Sequence, residues 1–323
     1  MSAKKNMDEN QDQHIDSKVD LSYIIEPIAV DVLKKELANG RFVRKTNKAN
    51  NEIYVVNHHN SPNVMKEIGR LREVTFASAG GGTGEPIDVD ENDTSENCYE
   101  QLIVWAPEAE AIIGGYRYIA CSKVIHTDPM ELSTAHYFNF SSQFKSEYMP
   151  VTIELGRSWV QPAFQPSATS RVGLFSLDNL WDGLGAIVVA NPHIKHFFGK
   201  VTMYTSFDTE SRDAILYFME AFFPDKENLV TAIYPLGLTT STSEIQSAIK
   251  GKEFKEAIKE LSQFCRARGE NLPPLINNYM QLSSTMKSFG TASNPDFGGV
   301  EETGILVTID DIFESKKERH LNY

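Results

Sequence analysis

PVTIELGRSWVQPAF (150–164), running into QPSATSRVGLFSLDNLWDGLGAIVVA (165–190), is the stretch from which the fold can be read. In its first half Val151, Ile153 and Leu155 alternate with Thr152, Glu154 and Gly156. A period of two predicts a strand with one apolar face. In its second half Val172, Phe175, Leu177, Leu180, Trp181, Leu184, Ile187 and Val188 recur near helical spacing, so a helix follows the strand. The first N–H groups of a helix lack intrahelical partners, and a strand-to-helix junction therefore favours an anion. Glu154 and Arg157 place two charges among apolar neighbours, where a charge needs a partner or a chemical task.

Working outward, EIYVVN (52–57) reads as a strand and residues 62–79 as a helix with Val64, Ile68, Leu71 and Phe76 near one face. QLIVW (101–105) and IIGGYRYIACS (112–122) form an antiparallel hairpin. A strand is expected over 197–207, an amphipathic helix over 210–223, helical segments over 243–268 and 272–290, and a last strand over 304–310. The aromatics between 136 and 148 read as a loop packed on the core. The order predicts an α/β protein with a mixed sheet.

The 323 residues carry a net charge of −13, with 41% hydrophobic and 23% charged residues. That balance is globular and argues against a general nucleic-acid binder. No apolar run reaches the length of a membrane-spanning helix, and the opening MSAKKNMDENQDQHID has no apolar core of a secretory leader. Cys98, Cys121 and Cys265 stand far apart, without zinc spacing, and fit a reducing, cytoplasmic compartment. Residues 1–20 are expected to be disordered and 313–323 to be a solvated polar tail.

Several local patterns lack the context that would give them chemistry. GGGTG (80–84) lacks the GxxxxGK[ST] frame and does not join a strand to a helix, so it reads as a loop. The acidic run Asp88, Asp90, Glu91, Asp93 lacks EF-hand spacing and reads largely as a solvated loop. His193 and His196 have no third ligand nearby. No GxSxG elbow is present.

What remains is a set of spaced motifs: Arg72 with Phe76, Asp90 with Asp93, Gly114 to Arg117, and Glu154 with Arg157. In this order they resemble the GNAT-type N-acyltransferases of the ornithine- and glycine-lipid branch, often labelled hemolysin-like, and the related acyl-homoserine-lactone synthases. LGRSWVQPAF, LWDGLGAIVVANPHIKHFFGKV and LPPLINNYMQL extend the likeness to the lipid branch, over about residues 22–312.

The resemblance implies a GNAT-like, mostly antiparallel central sheet flanked by helices. The domain would span 21–312, with a helical C-terminal elaboration from about 243. It implies transfer of a (3-hydroxy) fatty acyl chain from a carrier thioester to the amino group of glycine or ornithine. Acyl carrier protein or acyl-CoA would be the donor, with no permanently bound cofactor and no metal. The general GNAT pyrophosphate signature Q/R-x-x-G-x-G/A is replaced here by QPAFQPSATSRVG, which favours a protein carrier. Other amines, signal synthesis, or non-catalytic acyl binding are the alternatives.

By the same analogy Glu154, Arg157 and Arg117 are the catalytic set, with Glu154 as base. Arg72, Phe76, Asp90, Asp93, Trp159 and Val160 are the substrate-binding set. Backbone N–H groups near Trp159 and Val160 would polarise the carbonyl if the strand bulges there. Arg72 and Arg117 would hold the acidic loop or grip an acceptor carboxylate. Tyr204 is the candidate acid. The basic residues of 34–48 and 250–268 offer docking surfaces for an acidic carrier, and an amphiphilic product implies transient contact at the inner membrane.

Overall fold

The computed structural model describes residues 19–165 and 173–321; the expected disorder of the first residues, and Val172 of the predicted helix, lie outside these. Strands β1 (Phe42–Lys45), β2 (Glu52–Val56), β3 (Glu100–Ala106), β4 (Ala111–Ala120), β6 (Thr152–Val160), β7 (His196–Met203), β9 (Lys287–Asn294) and β10 (Val300–Thr308) form one eight-stranded sheet. Its order is β1-β2-β3-β4-β6-β7-β10-β9. β5 (Phe138–Phe140) and β8 (Val230–Ala232) pair separately. Every neighbouring pair in the large sheet is antiparallel except β6 and β7.

Alternation on β3 fixes the layers. Leu102, Val104 and Ala106 turn to α4 (Ser176–Ala190), while Ile103 and Trp105 turn to α1 (Val30–Leu37) and α2 (Pro62–Ser78). The acidic loop holds the short α3 (Glu91–Thr94). α5 (Thr209–Phe222), α6 (Ser243–Ile249), α7 (Phe254–Ala267) and α8 (Pro274–Met280) bury Ile215, Phe218, Leu261 and Ile276 against Val201 of β7 and Ile305 of β10. The predicted central strand, hairpin, α2 and α4 are all present.

Two expectations are revised. The helix expected over 272–290 stops at Met280, and KSFGTASN (287–294) pairs with β10 as an edge strand. The C-terminal tail keeps most of its residues exposed but is helical: α9 (Glu314–His320) docks on α4 through His320, whose Nδ1 lies 2.8 Å from an oxygen of Asp182. Gly185 makes that approach possible, since a Cβ there would stand 2.1 Å from the His320 carbonyl.

Candidate active site

The site grows from an irregularity in β6. Gly115 on β4 faces Trp159 and Arg117 faces Gly156, so β6 carries one extra residue between them. Arg157 takes up the bulge with φ 45°, a conformation costly for a branched-out side chain and common where a strand is re-aimed. The bulge flips the face of the strand. Ile153 and Leu155 pack toward α4, yet Trp159, of the same parity, packs with α1 and α2.

A fork opens beside the bulge. β6 and β7 pair in parallel from Thr152–His196 to Leu155–Gly199 and then part, although both strands continue. A cleft of about 70 Å³, partly open to solvent, lies between them. Gly156, Arg157 and Ser158 line one side and Gly199, Lys200 and Thr202 the other. Phe197, Phe198, Leu275, Ile305 and Val307 give it an apolar wall. The Gln161 N–H bonds to the Ile113 carbonyl on the β4 side. Alternation therefore directs the Val160 and Ser158 N–H groups to the edge that β7 has left.

Beneath the fork lies an ion cluster of three arginines and three aspartates. Arg72 Nε donates to Asp88 (3.0 Å), and its two terminal nitrogens donate to Asp93 at 3.2 and 3.1 Å. Arg117 donates to both oxygens of Asp90 at 2.7 Å and to Asp93 at 3.2 Å. Arg157 Nε donates to Asp88 at 2.8 Å. Arg72, Arg117, Asp88 and Asp93 are buried. Burial alone would raise the Asp88 carboxyl, but Arg157 and Arg72 outweigh it and hold it below the usual carboxylate range. Asp90 is lowered in the same way, by Arg117 and Arg157 against its own burial. Asp90 and Asp93 also cap α3 reciprocally, which fixes the acidic loop. Within the acidic run Asp88 and Asp93 are thus buried, Asp90 is partly buried and Glu91 stays exposed, and Asp88 is a member that its spacing did not single out.

The cluster corrects the idea of an arginine grip on substrate. Arg72 donates to aspartates from all three of its nitrogens and Arg117 from Nη1, and neither lines the cleft. Of the nine residues expected at the site, Phe76 and Arg157 line the cleft; Arg157 stacks over Phe297, 4.3 Å from its ring centre. Trp159 is buried in the core. Glu154 is also off the cleft, with Tyr99 Oη donating to one oxygen at 2.7 Å and Thr134 Oγ1 to the other at 2.5 Å. Burial raises its carboxyl despite those donors. The Tyr99 oxygen accepts from the N–H of Ser133, a residue that lines the cleft. Glu154 therefore reaches the site through two other residues.

The GGGTG loop cradles an anion, but the protein's own. Thr83 and Gly84 N–H groups donate to Glu73 at 2.9 and 2.8 Å, and Gly82 (φ 92°) brings the turn so close that a Cβ would stand 2.9 Å from that carboxylate. Tyr204 packs beside this loop near Gly81 and does not line the cleft. In the two basic segments, Lys34 pairs with Glu110, Lys252 with Glu260, and Arg268 with Glu210 and Glu244.

Two features of the cleft escaped the sequence reading. Lys200 and Glu302 form a buried ion pair on its wall, Nζ to Oε1 2.9 Å. Burial lowers the Lys200 ammonium even with Glu302 beside it, while Lys200 and its neighbours hold Glu302 below its ordinary value against burial. Tyr116, a residue only 2% exposed, lines the cleft with its hydroxyl beside Ser158 and Tyr279.

Residues 71–173 match the acetyltransferase (GNAT) domain. The chain is 53% identical over 301 residues to a glycine N(alpha)-acyltransferase of Bacteroides thetaiotaomicron, covering 92% of this chain and 89% of that protein. It is 52% identical to a glycine N(alpha)-acyltransferase of Phocaeicola vulgatus, covering 92% of each. No solved structure matches the chain.

Proposed function

We propose a specific reaction for this chain, which belongs to the GNAT-type N-acyltransferases of aminolipid synthesis: transfer of a long acyl group from an acyl carrier protein thioester to the amino group of glycine. The observation that carries the reading is the fork of β6 and β7 beside the β6 bulge. An acyl thioester laid in the fork has its chain along Phe197, Phe198, Ile305 and Val307. Its carbonyl oxygen meets the outward N–H groups of Ser158 and Val160, which stabilise the tetrahedral oxyanion; such a donor is worth about 10²–10³ in rate. The expected carbonyl donors were Trp159 and Val160; alternation favours Val160 and replaces Trp159 by Ser158.

The neutral Arg–Asp cluster serves as the rigid floor that holds the bulge in place. Arg157 joins floor and cleft, because its guanidinium binds Asp88 while its stem lines the site. Glu154 positions Tyr99 and Ser133 rather than meeting the amine.

Glycine as acceptor rests on the two relatives named for it. A protein carrier rests on the absent pyrophosphate signature after Val160, whose residues 166–172 lie outside the described ones. Among the described residues no helix is long and apolar enough to cross a membrane. An amphiphilic product made at the cytoplasmic face, with transient membrane contact, fits that fold.

The test is mass spectrometry of products from the purified chain. Donors are 3-hydroxyacyl thioesters of acyl carrier protein or coenzyme A; acceptors are glycine or ornithine. N-acylglycine, formed fastest from the carrier protein, is expected. N-acylornithine alone would overturn the acceptor, a faster coenzyme A reaction would overturn the donor, and no amide from any pair would sink the reading.

A further inference from the structure

We propose that Lys200 and Glu302 form the proton relay of the acyl transfer, Glu302 taking the proton of the attacking amine and Lys200 protonating the departing thiolate. The inference deepens the reading above and rests on it.

Position is the first argument. Gly199 is the last β7 residue paired with β6, and Lys200 is the next, so its side chain stands at the base of the fork. Glu302 comes from the opposite neighbour, β10, where it faces Thr202 across the ladder. Both side chains line the cleft, and both are over nine-tenths buried.

Preorganisation is the second. Glu302 Oε1 accepts from Lys200 Nζ at 2.9 Å and from Asn294 Nδ2 at 3.0 Å; Oε2 accepts from Thr202 Oγ1 at 2.8 Å. Lys200 Nζ also lies 4.4 Å from the Tyr137 ring centre. Each group is held in one geometry, as a proton carrier requires. Stability is a poor reason for the pair, because a buried ion pair usually gains little over apolar residues of the same volume. Of the other acidic and basic groups near the fork, Arg157 is paired with Asp88 and Glu154 does not line the cleft.

The chemistry balances. The acceptor ammonium loses one proton to water and enters as an amine. Its lone pair forms the N–C bond as the carbonyl electrons move to oxygen. The nitrogen's second proton passes to Glu302. Collapse of the adduct breaks the C–S bond, and the thiolate takes a proton from Lys200. The proton on Glu302 then crosses to Lys200 and restores the pair. The products are an amide, a free thiol and the one proton released earlier.

The test uses the full chain and two donors, an alkyl thioester of acyl carrier protein and an aryl thioester whose thiol leaves without protonation. Variants are Lys200→Met, Lys200→Arg and Glu302→Gln, each checked for a wild-type thermal transition. Lys200→Arg keeps the buried cation, so it carries the test alone if Lys200→Met fails to fold, but its guanidinium donates no proton. With the alkyl donor, kcat falls by about 10²–10⁴ in all three. With the aryl donor, the two Lys200 variants recover to within about fivefold of wild type, whereas Glu302→Gln stays slow. Folded Lys200→Arg that matches wild type on the alkyl donor, or is equally slow on both, overturns the relay. A wild-type chain that acylates no amine with either donor sinks the underlying reading and the relay together.

Discussion

Arg72 and Asp88, sixteen residues apart, meet inside the protein with Arg72 Nε 3.0 Å from Asp88 Oδ2 and neither side chain exposed. Asp88 is also the anchor of Arg157, the bulge residue of β6. One carboxylate thus ties α2 to the strand that forms the cleft. Asp88→Asn leaves the buried Arg72 and the partly buried Arg157 short of a charge. A loss of about 3–5 kcal/mol is expected, the cost of breaking a buried pair from one side. Urea unfolding measures it; a loss under about 1 kcal/mol would show that the cluster does not hold the bulge.

Acid should weaken the same cluster. Asp88 and Asp90 are held below the ordinary carboxylate value by arginines, so folding favours their charged forms. Their contribution is complete above the unfolded value of about 3.9 and is lost as pH falls toward their folded values. Glu154 runs the other way: its raised value means that its contribution declines as pH rises through it. The melting temperature is expected to drop steeply below about pH 4, and Asp90→Asn to flatten that limb. An unchanged acid limb in Asp90→Asn would refute the assignment.

Much of this was legible in the sequence because it is local. Alternation from Val151 to Leu155 and the helical spacing after Gly173 gave β6 and α4. The spacing of Arg72, Asp90, Asp93 and Arg117 carried the resemblance whose ion cluster is found. What failed depends on register. Lys200 and Glu302 lie 102 residues apart and meet only through the pairing of β7 with β10. β9 was missed because KSFGTASN is small and polar, with a left-handed Gly290, and has the composition of a turn. Asp88 lies outside the Asp90–Asp93 spacing, so only burial reveals it.

Glu154→Gln separates position from chemistry. Both carboxylate oxygens are occupied by hydroxyl donors, and the cleft is reached only through Tyr99 and Ser133. The variant is expected to lose less than about tenfold in kcat, against the 10²–10⁴ typical of a lost general base. A loss in that larger range, in a variant with wild-type melting behaviour, would return Glu154 to the role of base.

Chain-length selection should lie with Leu275, which enters the cleft wall from α8 and is only partly buried. Its exposure gives a larger side chain room to turn, unlike Ile305 or Val307, which are packed in the core. Leu275→Trp shortens the apolar wall available to the acyl group, and Leu275→Ala lengthens it. Each methylene denied burial costs about 0.8 kcal/mol, or roughly fourfold in preference. A competition among acyl carrier thioesters of graded length, read by mass spectrometry, should shift toward shorter amides in Leu275→Trp and toward longer ones in Leu275→Ala. Identical product distributions would mean that the chain leaves the fork by another face, and the wall formed by Phe197, Ile305 and Val307 would lose its assignment.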